Sequence, residues 1–207
     1  MRHIGVDESG KGDFFGPLCV AGVLVDEKTE KLFTDLGIKD SKKISDKKIL
    51  ELEKTIKLNA IHSVVAISNG KYNELYAKIK NLNKLLAWGH ARVIENICES
   101  NECDYAMSDQ FGDESLIRSA LMKNGRNIEL RQMVRAESAD IAVAAASVLA
   151  RAAYVKKMAE MEQTYGLKFQ KGCSDLVKTV AKEFISKYGK GKLPEVCKTH
   201  FKTFKEV

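Results

Sequence analysis

From Arg135 to Arg151 the chain reads Arg-Ala-Glu-Ser-Ala-Asp-Ile-Ala-Val-Ala-Ala-Ala-Ser-Val-Leu-Ala-Arg. Alanine is the strongest helix former, and a helix with small residues on nearly every face can lie very close against a sheet. The strands of such a sheet are legible elsewhere in the chain. Residues 3–6 alternate in the period of a strand, and residues 18–25, Leu-Cys-Val-Ala-Gly-Val-Leu-Val, form the continuous apolar run of a strand buried on both faces. Further strands are predicted over residues 62–68, 105–109 and 128–134, the first three strands forming the antiparallel part. Helices are predicted over 45–58, capped by Ser45, and over 71–79, 83–100, 114–123 and 175–188, with a polar connection over 28–39. The class is α/β: a mixed five-stranded sheet flanked by helices, with a helical C-terminal region. No Ser/Gly/Pro-rich linker divides the 207 residues, so one domain over 1–207 is expected.

The first two strands are joined by Asp7-Glu8-Ser9-Gly10-Lys11-Gly12-Asp13-Phe14-Phe15-Gly16-Pro17. Adjacent strand residues point to opposite faces, so Asp7 and Glu8 can converge on one metal ion only where the strand ends and the backbone turns. Gly10, Gly12 and Gly16 supply that freedom, and they let a ligand approach the backbone of Ser9 to Gly12. An isolated Asp-Glu pair would be read as a solvated acidic turn. Asp109, however, also closes a predicted strand, where it could alternatively cap the next helix. Glu137 begins the alanine-rich helix, and Asp140, one turn on, could substitute for it as a ligand. Gly5 to Lys11 also fits the phosphate-loop pattern G-x-x-x-x-G-K, but Gly12 stands where Ser or Thr should hold Mg²⁺, and Asp7 and Glu8 would repel phosphates.

The segment from Asp7 to Leu18 resembles the signature of ribonuclease HIII, a type 2 ribonuclease H close to ribonuclease HII. The resemblance continues through Asp40-Ser41-Lys42-Lys43, Ser108-Asp109-Gln110-Phe111-Gly112, the segment around Glu137, and the ending Lys198-Thr199-His200-Phe201-Lys202-Thr203. Ser9 and Lys11 stand where ribonuclease HII usually has Ala and Arg, and Glu137 where it has Asp, which favours HIII. The resemblance implies a ribonuclease H-like fold and an endoribonuclease that cuts the RNA strand of RNA/DNA hybrids, leaving 5′-phosphate and 3′-hydroxyl ends. It implies Asp7, Glu8, Asp109 and Glu137 as the catalytic acids, and their hard oxygen donors suit two Mg²⁺ or Mn²⁺ ions. Substrate contacts are expected from Ser9, Gly10, Lys11 and Gly12, which would read the 2′-hydroxyl, and from Lys42, Lys43, Ser147 and Arg151. The alternatives are a ribonuclease HII-like enzyme cutting at single ribonucleotides in DNA, or a non-catalytic hybrid-binding protein. His90 is expected to pack or hydrogen-bond rather than bind metal. Family members typically carry an extra N-terminal domain; Met1 lies six residues before Asp7, so none is expected here.

Charge supports a nucleic-acid partner. Residues 151–207 hold 13 Lys or Arg against 6 Asp or Glu, a basic region able to meet phosphates or simply to form a solvated helix face. The five cysteines form no C-x-x-C pair, which argues against a zinc knuckle. No apolar run is long enough to span a membrane and no signal peptide is legible, so a cytoplasmic monomer is expected.

Overall fold

The computed structural model describes residues 1–38, 41 and 44–207. Its sheet has the order β3-β2-β1-β4-β5, formed by β1 (His3–Ser9), β2 (Leu18–Val25), β3 (Ile61–Ile67), β4 (Tyr105–Asp109) and β5 (Glu129–Met133). β1 pairs antiparallel with β2, and β2 with β3, as expected from sequence; β4 runs parallel to β1, and β5 to β4. β1 is therefore central, and its alternation divides the core. Ile4 and Val6 pack with Leu85, Leu86, Val93, Ile94 and Ile97 of α4 (Leu82–Cys98). On the other face Ala21, Val23 and Val25 of β2 meet α2 (Asp46–Asn59) and the alanines of α6 (Ile141–Tyr165).

The alanine-rich helix sits as close as its composition allows. A Cβ placed on Gly5 would lie 2.1 Å from the backbone of Ala142 and Val143, so the strand and helix backbones are in direct contact there. At the N-terminus of α6 the Asp140 carboxylate accepts from Ala142 N at 2.9 Å and Val143 N at 3.0 Å, and its other oxygen meets His3 Nε2 at 2.9 Å. The cap thus ties α6 to the first residue of β1.

Four elements depart from the sequence reading. β1 does not stop at Val6: pairing with β2 continues to Ser9↔Cys19, whereas pairing with β4 ends at Val6↔Ser108. Most of residues 28–39, read as a connection, belongs to α1 (Glu27–Asp35), capped by Asp26 and burying only Phe33, too little apolar periodicity to be read. α5 (Glu114–Ala120) ends three residues early because the next amides turn to a buried carboxylate of α4: Met122 N, Asn124 N and Gly125 N donate to Glu95 at 2.6, 2.9 and 2.9 Å. Glu137 is not in the alanine-rich helix but on a separate 3₁₀ turn, Ala136–Ser138, entered through Arg135 at φ 56°.

The C-terminal part folds back on the acidic turn. α7 (Asp175–Tyr188), the 3₁₀ segment Lys190–Glu195 and α8 (Lys202–Glu206) follow α6. Phe14, Phe15 and Cys19 share a core with Tyr154, Met158, Phe169, Phe184, Val196 and Cys197, and Phe15 bridges Cys197. Asn73 of α3 (Asn69–Ile79) donates to Pro194 O at 3.1 Å and Cys197 O at 2.9 Å and accepts from Thr199 N at 3.0 Å.

Gly5→Ala should be the most damaging single-methyl insertion in the sheet, destabilising by about 3 kcal/mol or more, since backbone rather than a side-chain tip must yield. Gly22→Ala, whose Cβ would first meet the end of Ile97 at 3.0 Å, should cost less. Urea unfolding of both variants measures the difference.

Candidate functional site

β1 runs through Asp7 and Glu8, whose side chains leave the strand in different directions, yet both carboxylates line one cleft and the Glu8 charge acts on Asp7. Glu8 points to the α4 side. Its Oε2 lies 2.9 Å from Nε2 of the fully buried His90, and its Oε1 lies 3.0 Å from Lys11 Nζ. Burial pushes the Glu8 carboxyl up, but the hydrogen bonds and charges of His90 and Lys11 outweigh it and hold the group at about 2. His90 is thus the hydrogen-bonding residue expected from sequence, and the partner it serves is an acid of the site. Phe111 packs edge-on against its ring, the centroids 4.7 Å apart.

Asp7 points the other way, toward acids from two other elements. Asp109 ends β4, its Oδ1 accepting from Ala136 N at 3.2 Å, and the same Ala136 opens the 3₁₀ turn that bears Glu137. Asp7 Oδ1 accepts from Glu8 N at 2.8 Å. Burial, then the charges of Glu8, Glu137 and Asp109, lift the Asp7 carboxyl well above the usual carboxylate range. Asp140, the other candidate, has both oxygens committed to the α6 cap and His3.

Asp7, Glu8 and Asp109 line a cleft of about 370 Å³ with the turn from Ser9 to Asp13, Ser41, Arg151, Tyr154 and Lys171; Glu137 is not among the lining residues. Ser9, Gly10, Lys11, Gly12 and Arg151 therefore stand where sequence expected them. Arg151 donates to Ser41 O and, at 2.8 Å, to Asp46 Oδ1, which Lys171 also reaches at 3.2 Å. Ser147 departs from expectation: it is buried, donating to Ala144 O at 2.9 Å and accepting from Ser41 N at 3.4 Å, and does not line the cleft. Lys42 and Lys43 lie outside the described residues. Lys171 was not singled out by sequence; it is one lysine among many in a basic region, and only the fold carries it to the cleft.

Among the described residues no three His, Cys, Asp or Glu side chains already enclose a metal position; Glu8 is turned to His90 and Lys11, and Asp7 and Asp109 to backbone amides. The donor set nonetheless fits a hard divalent cation. It offers carboxylate oxygens without thiolate or imidazole, and after burial it is the charges of Glu8, Glu137 and Asp109 that raise the Asp7 carboxyl, charge that a cation would relieve.

Known proteins resemble this chain over nearly all of its length. The sequence model of ribonuclease HII matches residues 4–204. Ribonuclease HIII of Chlamydia felis is 50% identical, aligned over 99% of this chain and 69% of that protein, and ribonuclease HIII of Protochlamydia amoebophila is 44% identical, over 99% and 68%. The crystal structure of Bst-RNase HIII in complex with Mn²⁺ superposes with a TM-score of 0.92 at 29% identity, covering all of this chain and 68% of that one. The structure of Aquifex aeolicus RNase H3 superposes at 0.78, again at 29% identity, over 95% of this chain and 71% of that one.

His90→Phe keeps an aromatic ring against Phe111 but removes the donor to Glu8. It should weaken Mn²⁺ binding by about 10–100-fold, the range for groups that orient metal ligands, as measured by titration calorimetry.

Proposed function

Since this chain belongs to the ribonuclease HII and HIII family and is an endoribonuclease of that family, we propose that it hydrolyses the RNA strand of RNA/DNA hybrids at the cleft beside Asp7, leaving 5′-phosphate and 3′-hydroxyl ends. The observation that carries this reading is the cleft lined by Asp7, Glu8 and Asp109, with the Glu137 charge close enough to act on the half-buried Asp7. Asp7, Glu8, Asp109 and Glu137 would hold divalent cations, Mg²⁺ or Mn²⁺, which when bound would supply an activated water and charge stabilisation for the leaving oxygen. The chain's own residues do the rest. His90 and Lys11 keep Glu8 ionised and aimed, so a charged oxygen is ready without a proton having to leave. The Ala136 amide orients Asp109. Backbone groups of Ser9 to Gly12 read the 2′-hydroxyl that distinguishes RNA from DNA. Lys11, Arg151 and Lys171, with Lys42 and Lys43, meet the phosphates.

The HIII-type reading is preferred to cutting at single ribonucleotides because relatives at 44–50% identity bear that name and because Ser9, Lys11 and Glu137 follow the HIII pattern. Catalysis by a single domain, acting as a monomer in the cytoplasm, completes the proposal. Among the described residues no helix is long and apolar enough to cross a membrane.

Cleavage of an end-labelled hybrid in saturating Mn²⁺ tests the assignment. Asp7→Asn and Asp109→Asn should each lower the single-turnover rate by about a thousandfold or more, a loss of roughly 4 kcal/mol of transition-state stabilisation, with the fold intact by circular dichroism. Near wild-type cleavage by either variant would falsify the ligand assignment.

The same assay separates Glu137 from Asp140. Glu137→Gln should lose at least about a hundredfold in rate, some 2.7 kcal/mol. Asp140→Asn should leave the rate little changed, because asparagine still caps a helix. Equal losses would make Asp140 a ligand as well.

A further inference from the structure

Lys198 is fully buried, an unusual place for a lysine. Its Nζ donates to Asp13 O at 2.8 Å and Gly16 O at 2.6 Å, and the ammonium lies 5.5 Å from the centre of the Tyr72 ring. Both carbonyls belong to the turn between β1 and β2, the turn that lines the cleft. That turn has little structure of its own: Gly10 and Gly16 hold φ of 91° and 81°, and Asp13 N donates to Gly10 O at a long 3.3 Å. Its other anchors come from outside: Lys198 N to Phe14 O at 2.9 Å, Gly16 N to Val196 O at 3.0 Å, Asn69 Nδ2 to Gly16 O at 2.8 Å, Tyr154 Oη to Phe15 O at 3.1 Å, and the Gly172 backbone, which accepts from Phe14 N at 2.9 Å and donates to Asp13 Oδ1 at 2.6 Å.

We propose that Lys198 is a positioning residue for hydrolysis: its ammonium fixes the turn that reads the substrate by gripping the carbonyls of Asp13 and Gly16 from beneath. The proposal rests on the reading under Proposed function that Ser9 to Gly12 contact the sugar. Filling the same space with an apolar chain would have avoided burying a charge, which is costly unless the hydrogen bonds are needed. Burial draws the ammonium down to about 8, against the opposing pull of Asp13, Cys19 and Cys197. Charge-assisted bonds to two carbonyls six and nine residues beyond Asp7 therefore hold a loop whose own backbone does not.

Lys198→Met and Lys198→Ala test this against the wild type on an RNA/DNA hybrid in Mn²⁺. KM should rise about tenfold, the worth of one hydrogen bond to a charged group, while kcat changes much less. In the metal-free protein, amide exchange from Gly10 to Gly16 should accelerate, and the melting temperature should hold or rise because a buried charge has gone. Methylammonium should lower KM for Lys198→Ala and leave Lys198→Met unaffected. Unchanged KM and exchange in folded variants would overturn the proposal, as would a fall in kcat that tracks melting temperature, or failure of both variants to fold. If the wild type leaves the hybrid uncut, the functional reading fails instead, and the exchange and melting measurements still judge whether Lys198 holds the turn.

Discussion

The contact between the β1 backbone at Gly5 and the α6 backbone at Ala142 and Val143 is the constraint from which most of the molecule follows. It requires a residue without a side chain on the strand and alanine-sized residues on the helix. It also sets where the helix begins, because the Asp140 cap must then meet His3. The 3₁₀ turn carrying Glu137 lies immediately before that cap, and so is delivered beside the end of β4, where the Ala136 amide meets Asp109. A tight packing contact near one end of the strand thereby sets the spacing of acids near the other.

Electrostatics then divides those acids by role. β1 and β4 part company after Val6 and Ser108, and the acids gather where they diverge, at the carboxyl ends of parallel strands. Asp7 faces the other acids and is raised; Glu8, one residue on and on the opposite face, is held low by His90 and Lys11. One dipeptide thus presents two carboxylates in contrasting surroundings, a direct outcome of the two-residue period of a strand.

Much of this was legible in the sequence, and the exceptions share a cause. Continuous or alternating apolar runs marked all five strands; Asp7, Glu8 and Asp109 stood out because they close such runs just before glycines, and Glu137 only through the family resemblance of the segment around it. What escaped depends on partners distant in the chain. β1 continues past Val6 because β2 keeps pairing with it, and α5 stops early because Glu95 offers its amides a buried acceptor. Ser147 shares a helical face with Arg151 in a one-dimensional reading, yet that face is partly covered by Ser41, so the serine is buried and the longer arginine reaches the cleft. Lys198 sits in a segment where lysines are common, and no local pattern distinguishes a lysine that will be enclosed.

The bridge from Phe15 to Cys197, with Asn73 clasping Pro194, Cys197 and Thr199, has a consequence for how the protein is made. Chains emerge from the ribosome N-terminus first and begin to fold as they emerge. Asp7 and the glycines of its turn emerge long before the segment around Cys197 that braces them. A nascent chain that has assembled its sheet and its central helix still lacks a finished cleft until that distant segment has emerged.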